Sequence, residues 1–127
     1  MKVKCINIYN ENTKQFEQSS YWLTIGKEYV VLEMKIYPGK NILYRLIGDN
    51  INKSPGMYNA AQFEVASEKI SSRWKISQLK SGSLSLSPES WQRIGFWEEC
   101  YDLDPQALEV YKCEAQIILE EENSFNN

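Results

Sequence analysis

The chain has 127 residues, of which 43% are apolar and 13% aromatic, and its formal net charge at pH 7 is −3. This length suits one domain, and the composition excludes an intrinsically disordered chain, which needs low hydrophobicity and high net charge. No apolar run approaches the ~18 residues that a membrane span requires, and no apolar signal-peptide core follows the basic start. We therefore expect one cytoplasmic domain over residues 1–127, without a membrane partner.

The first two-thirds of the chain has the periodicity of short β-strands. Residues 1–9 are β-branched and apolar, and a turn cluster follows at Asn10–Lys14. Over Glu28–Tyr37 apolar residues recur at every second position, which predicts one strand with one face in the core. Pro38–Gly39 then favours a turn. The alternating residues 41–49 are therefore expected to return as the second strand of a hairpin.

Three shorter strands are predicted after this hairpin. A loop is expected at residues 48–56, followed by strands at 62–66, 73–79 and about 84–86. Short strands joined by tight turns are typical of a small antiparallel, strongly curled β-sheet or an SH3-like barrel. We place this β-rich body at about residues 1–86.

The C-terminal third changes to the periodicity of helices. Ser87–Glu89 is a helix-start signal, because Ser caps, Pro is tolerated at the first helical position and Glu suits the N-terminal dipole. Three apolar residues then follow at steps of three, namely Trp91, Ile94 and Trp97. Asp104–Gln106 repeats the start signal before an amphipathic stripe. We expect two helices over about residues 87–122, a frayed end at 123–127 and an α+β fold.

Residue types that carry catalysis are scarce. The chain contains no histidine, which removes His-activated nucleophiles, His general bases and His metal ligands. Cys5, Cys100 and Cys113 form an odd set that is too small for a closed zinc site, and we expect free, buried thiols. Glycine-rich phosphate motifs and a nucleophile elbow are also missing from the sequence. We predict no enzyme activity, no metal and no cofactor.

Charge is distributed very unevenly along the chain. Residues 1–80 carry 12 Lys/Arg and 7 Asp/Glu, a net +5, whereas residues 81–127 carry 2 and 10, a net −8. Several acids fall near the predicted ends of the two helices, where each opposes the helix dipole by ~0.3–1 kcal/mol. They form either a solvated surface or a surface for a basic protein. The candidates for the second role are Glu98, Glu99, Asp102, Asp104, Glu109 and Glu120.

Two other residue groups have competing interpretations. A nucleic-acid footprint on the strands would draw on Lys2, Lys4, Lys35, Lys40, Arg45, Lys69, Arg73 and Lys75, with Trp22, Tyr44 and Trp74. The acidic pI of 5.1 and the usual place of Lys on exposed strand faces argue against it. The aromatic group is Trp91, Phe96, Trp97 and Tyr101. We expect most of it in the core, with one or two side chains as exposed anchors for a partner.

The longest distinctive stretch is SLSPESWQRIGFWEECYDLDPQALEVYKCEAQIILEEE, residues 85–122. Together with LTIGKEYVVLEM, ILYRLIGDN and QFEVAS, it resembles small bacterial immunity proteins of contact-dependent growth inhibition and related polymorphic toxin systems. The most specific part is P-x-x-W…GFW-E…D-x-D-P, from Pro88 to Pro105. The resemblance implies a protein that binds and neutralises one cognate toxin domain, often a nuclease, as a monomer or a 1:1 complex.

An alternative function belongs to a different class. The Gly26–Val31 stretch before the hairpin is common in small SH3-like barrels, which bind nucleic acid or peptide through a β-face. The two hypotheses differ in the face that matters, since acidic helices serve the first and basic strands the second. Nuclease toxins are generally basic because they bind phosphates, and an acidic inhibitor complements them. We therefore expect a basic toxin domain as partner and no direct nucleic-acid binding.

Overall fold

A computed structural model describes residues 1–39 and 41–123. Over these residues strands precede two α-helices, which confirms the predicted α+β class. The strands are β1 Lys2–Cys5, β2 Ile8–Asn10, β3 Gln15–Glu17, β4 Glu28–Val30, β5 Glu33–Ile36, β6 Ile42–Ile47, β7 Pro55–Asn59, β8 Phe63–Ser67, β9 Trp74–Gln78 and β10 Leu84–Pro88. The helices are α1 Phe96–Tyr101 and α2 Pro105–Asn123, and short 3₁₀ turns occupy Ala60–Gln62 and Glu89–Trp91.

The described strands form three antiparallel sheets rather than a closed barrel. The largest has the order β7-β6-β5-β10-β9, a second has the order β4-β1-β8, and β2 pairs with β3 alone. The hairpin predicted around Pro38–Gly39 is confirmed, because β5 pairs with β6 from Glu33↔Arg45 to Ile36↔Ile42. Strands β3 and β7 were not expected from the sequence. Their residues are exposed or half-buried, so neither has the alternation that marks a strand.

The single strand predicted over Glu28–Tyr37 is wrong. Two strands, β4 and β5, occupy this stretch and belong to different sheets. Between them Val31 and Leu32 are both fully buried, which a continuous strand with a period of two does not allow. The backbone changes partner at the same point. The Val31 amide donates to the Met1 carbonyl at 3.0 Å, and the next amide, of Leu32, donates to the Arg45 carbonyl at 2.8 Å.

The first predicted helix is shorter than expected and begins later. Ser87 and Pro88 end β10 instead of starting a helix. Gly95 has a φ of +84°, in the left-handed region that favours glycine, so it breaks the chain direction before α1. Ile94 is 99% exposed, whereas Trp91 is buried. The stripe predicted from Trp91 through Ile94 to Trp97 is therefore wrong, because these residues do not share one helix.

The second helix agrees with its sequence signals. An Asp104 carboxylate oxygen accepts a hydrogen bond from the Ala107 amide at 2.9 Å, which caps the start of α2. Its inward stripe contains Tyr111, Ala115 and Ile118, all buried. The helix ends at Asn123, so the predicted fray is wrong at that residue, and the remainder of the predicted tail lies outside the described residues.

Aromatic side chains join the two helices to the 3₁₀ turn at Glu89–Trp91. The Trp91 ring lies 6.4 Å from the Phe96 ring and 5.5 Å from the Tyr111 ring, centroid to centroid. Trp97 is half-buried and its ring lies 5.3 Å from that of Trp91. Most of this group is core, as predicted, and Tyr101 is the exposed member. Within the described residues, no helix combines the length and apolarity needed to cross a membrane.

Candidate functional site

Helix α1 presents a short, exposed surface. Phe96 and Cys100 lie one turn apart and are buried, so Glu98 and Tyr101 point away from the core. Two further apolar side chains flank the helix. Ile94 precedes it and is 99% exposed, and Leu103 follows it and is 73% exposed. The resulting α1 ridge consists of Ile94, Glu98, Tyr101, Asp102 and Leu103.

The acids in and next to α1 do not all lie at the end of the helix at which the sequence placed them. Glu98 and Glu99 lie in the first turn of α1, where the helix dipole favours acids. The sequence argument that they oppose the dipole is therefore wrong, because α1 begins at Phe96. Only Asp102, which caps the C-terminal end, has the predicted unfavourable position. Within the described part of the chain, Glu98 and Asp102 make no ion pair.

Two acids at the end of α2 have partners that the sequence did not reveal. The buried Glu122 carboxylate accepts a hydrogen bond from the Met1 ammonium at 2.8 Å. The Glu121 carboxylate accepts from the Ser71 hydroxyl at 2.7 Å and from the Ser72 amide at 3.2 Å. The cost of placing these acids at a helix C-terminus is thus offset by contacts with the β-rich body.

Part of the charge asymmetry is matched inside the molecule. The Arg73 guanidinium donates two hydrogen bonds to the Glu114 carboxylate, at 2.7 and 2.6 Å. The Lys75 ammonium lies 2.9 Å from the Glu89 carboxylate. Each pair joins the basic first part of the chain to its acidic last part. The acids of these two pairs are therefore neutralised within the chain, and we do not count them as part of a partner-binding surface.

Two of the predicted site acids have structural roles. Glu99 accepts hydrogen bonds from the exposed Arg93 guanidinium, at 2.7 and 3.1 Å, which lower the pKa of its carboxyl. Asp104 caps α2 through Ala107. Neither is a free acid, so we exclude both from the α1 ridge.

The two remaining predicted acids lie on the outer side of α2. Glu109 and Glu120 are exposed and eleven positions apart, which places them about 16 Å apart along the axis and on the same side of the helix. Glu109 accepts a hydrogen bond from the Cys113 thiol at 3.5 Å, and Glu120 accepts one from Gln116 at 2.7 Å. The six predicted residues thus lie within or next to two helices rather than on one continuous acidic stretch. Cys113 is exposed, contrary to the buried thiol expected.

A buried ion pair supports the α1 ridge from below. Glu33 and Arg45 are 4% and 6% exposed, and the Arg45 Nε donates to the Glu33 carboxylate at 3.1 Å. The same guanidinium lies 3.7 Å from the Trp97 ring centroid and donates to the Tyr101 hydroxyl at 2.9 Å. That hydroxyl donates in turn to the Pro55 carbonyl at 3.1 Å. Tyr101 is therefore held in place although its side chain is 55% exposed.

Sequence reasoning missed this ion pair because it assigned Arg45 to an exposed strand face. The pattern of residues along β6 nevertheless indicated that Arg45 is buried. Arg45 shares its face of β6 with Leu43 and Ile47, both apolar, so a polar exposed face was not indicated there. A charged residue on an apolar face implies a buried partner.

The described basic and aromatic residues proposed for nucleic-acid binding do not form one exposed face, and Lys40 lies outside the described residues. Tyr44, Arg45 and Trp74 are buried, and the Trp74 indole donates to the Leu32 carbonyl at 2.9 Å. Arg73 is engaged in its ion pair. Among the described residues, the strands therefore lack the interleaved pattern of cations and accessible rings that single-stranded nucleic acid requires.

Comparisons of the chain with known protein families, with curated proteins and with solved structures gave no match. In the described portion, no group of three or more Cys, Asp and Glu side chains is arranged to hold a metal ion. The function is therefore inferred from the surface of the molecule. The α1 ridge is the candidate, because it places the 99% exposed Ile94 and the 73% exposed Leu103 beside a short helix whose Glu98 and Asp102 lie outside the ion pairs of the described residues.

Proposed function

We propose that the protein is a cytoplasmic immunity protein that binds and neutralises one basic toxin domain, as a 1:1 complex, through the α1 ridge. The observation that carries the proposal is the near-complete exposure of Ile94 beside Glu98 and Asp102. Burial of a large apolar side chain against a partner is favourable, because it removes apolar surface from water. Clusters of such exposed side chains therefore mark interaction surfaces. Tyr101 adds a residue type that is enriched among binding hot spots.

The acids of the ridge determine the kind of partner. Glu98 and Asp102 are four positions apart and outside the ion pairs of residues 1–39 and 41–123, so they present two negative charges together. A basic surface would be attracted to them, and complementary charge raises the association rate and selects the partner. Nuclease domains bind phosphates and are therefore a basic class. Neutralisation would follow either from covering the active site or from holding the toxin away from its target.

The buried ion pair beneath the ridge favours binding without rearrangement. Arg45 and Pro55 hold the Tyr101 hydroxyl, and Trp97 packs on the guanidinium. A side chain that is already ordered loses less conformational entropy when a partner binds. We therefore expect association to be limited by orientation and charge rather than by folding of α1.

Charge reversal on the ridge tests the proposal. We expect the partner to be the toxic C-terminal domain of a large secreted protein, and the reading frame directly upstream of this chain is where to look for it. Glu98→Lys with Asp102→Lys should slow association and weaken binding by at least about 100-fold, because opposed like charges across an interface cost several kcal/mol. The fold should be retained, since surface substitutions change stability by less than ~0.5 kcal/mol. Raising the salt concentration should slow association of the unmodified protein, because exposed charges are screened beyond ~8–10 Å.

The matched control places the same charge change elsewhere. Glu64→Lys with Glu68→Lys alters two exposed acids of the β-rich body and should leave the affinity within about twofold. Ile94→Ser is a second, uncharged probe of the ridge and should mainly accelerate dissociation. Equal losses of affinity in the two double variants would mean that net charge, and not the position of the acids, determines binding. If Lys35→Glu abolished binding and the charge reversal on the ridge did not, the interface would lie on the β-face. That result would favour the alternative function, an SH3-like module that binds through its strands.

A further inference from the structure

A cleft of about 640 Å³ lies between the β2–β3 hairpin and the β6–β7 strand pair. Its volume falls within the ~300–1,000 Å³ of small-molecule sites. Tyr9 and Phe16 line it from the hairpin, and Leu43 and Met57 line it from the sheet. Glu11 is the only charged residue among the described residues of the lining. The cleft therefore suits a neutral molecule better than an ion, because an ion would lose its hydration without a partner of opposite charge.

Four carboxamide side chains line the same cleft, those of Asn7, Asn41, Asn59 and Gln62. Two of them are held in place through their oxygen atoms. The Asn59 oxygen accepts a hydrogen bond from the Ala61 amide at 2.8 Å, and the Gln62 oxygen accepts one from the Tyr9 amide at 3.1 Å. The N–H donors of both groups remain for a ligand. In the described part of the chain, the Asn7 and Asn41 side chains make no hydrogen bond, so each offers donors and an acceptor.

The hairpin adds aromatic surface that the core does not use. Phe16 is 71% exposed, and its ring lies edge-to-face with the Tyr9 ring at 5.3 Å between centroids. All three residues of β3 are exposed, so Phe16 is not needed to bury that strand. The face of an aromatic ring is negative and attracts weakly positive C–H groups. An exposed ring of this kind is therefore suited to stack against the C–H face of a saturated ring that also carries polar groups.

We propose that this cleft binds a neutral pyranose sugar. One C–H face of the sugar lies against the Phe16 and Tyr9 rings, and its hydroxyls hydrogen-bond to the carboxamides. A hydroxyl both donates and accepts hydrogen bonds, and so does a carboxamide, so the two groups match in either direction. Glu11 supplies a further acceptor for a hydroxyl and repels an anionic sugar.

The distribution of the carboxamides favours a sugar over a nucleobase. Asn7 follows β1, Asn41 precedes β6, and Gln62 ends the 3₁₀ turn after β7. The polar groups therefore reach the cleft from several points of the fold. This arrangement suits a ring with hydroxyls around its whole rim, whereas a base carries its donors and acceptors in a fixed pattern along its edges. The lining shares no residue with the α1 ridge, so the test needs no toxin.

The experiment is a titration of the full chain with methyl β-glucopyranoside, followed by NMR of the side-chain amide groups. The N–H signals of the lining carboxamides should shift saturably with one common dissociation constant, because all contact the same ring. The signals of Asn52, outside the cleft, should not follow that curve. Sorbitol has hydroxyls but no ring face to stack, so it should bind at least about threefold more weakly. Glucuronate brings a carboxylate towards Glu11 and should also bind at least about threefold more weakly.

Variants separate the cleft from general surface effects. Phe16→Ala should weaken glucoside binding about fivefold through lost stacking, and Asn41→Ala about threefold through lost hydrogen bonds. Both residues are exposed, so the circular dichroism spectrum should not change. The matched controls, Tyr21→Ala and Asn52→Ala, remove an exposed ring and an exposed carboxamide outside the cleft and should change the affinity less than about twofold.

Four results would overturn the proposal. They are the absence of saturable shifts, equal binding of sorbitol or glucuronate, tighter binding of adenosine than of the glucoside, and equal losses of affinity in the control variants.

Discussion

Replacement of Arg45 by methionine tests whether the buried ion pair is a unit of the fold. Arg45→Met keeps a long side chain over the Trp97 ring but removes the charge. Glu33, 4% exposed, would then keep a buried carboxylate without its cationic partner, and Tyr101 would lose a hydrogen-bond donor. We expect a large loss of stability from this one substitution, because the remaining charge has no access to water.

The magnitude follows from the burial of both partners. Breaking a buried ion pair from one side typically costs about 3–5 kcal/mol, because it leaves an uncompensated charge. A domain of this kind has a total unfolding free energy of about 5–15 kcal/mol. For a chain of this length, each kcal/mol lowers the melting temperature by roughly 3–5 °C, so the variant should melt about 10–25 °C lower. Arg73→Met, at the partly exposed pair with Glu114, should cost about 1 kcal/mol or less.

The assay is urea unfolding followed by Trp fluorescence and circular dichroism, applied as a double-mutant cycle. Glu33→Met combined with Arg45→Met should recover most of the stability, since apolar replacement of a whole buried pair is often neutral or stabilising. Because each single variant leaves a buried charge and the double variant does not, the coupling energy should be about 3 kcal/mol or more. A single Arg45→Met cost below about 1 kcal/mol, or a double variant as unstable as the sum of its singles, would refute the reasoning.

Two further predictions concern pH and thiols. Burial raises the pKa of Glu122, but the hydrogen bond and charge of the Met1 ammonium help to outweigh this and hold it below the ordinary 4.5. A lowered folded-state pKa gives stability that is present above about pH 4.5 and lost as pH falls. Glu122→Gln should therefore flatten the decline of unfolding free energy between about pH 6 and about pH 3, and an unchanged slope would contradict the pair. Cys113 is exposed whereas Cys5 and Cys100 are buried, so native alkylation should modify one thiol and unfolding without reductant two more. Fewer than three after unfolding would indicate a disulfide.

Local patterns were sufficient where an element is stabilised by its own residues. The β5–β6 hairpin was predictable because Pro38–Gly39 makes the turn and strand-favouring apolar residues flank it on both sides. Helix α2 was predictable because the Asp104 cap and the Tyr111, Ala115 and Ile118 stripe depend on residues within a few positions of one another. The same reasoning failed at α1, since one glycine, Gly95, decided where that helix begins.

For the candidate surface, too, one part follows from the sequence and the other from the tertiary structure. The sequence by itself determined that acids concentrate in the last third of the chain, since that depends only on residue type and order. Which of those acids remain available was decided by tertiary contacts, as when Met1 reaches Glu122 across 121 positions and Arg73 reaches Glu114 across 41. Charges interact through space, so separation along the chain carries no information about their pairing. The exposure of Ile94 beside Glu98 likewise exists only because the folded core takes in Phe96 and leaves the other side of α1 in water.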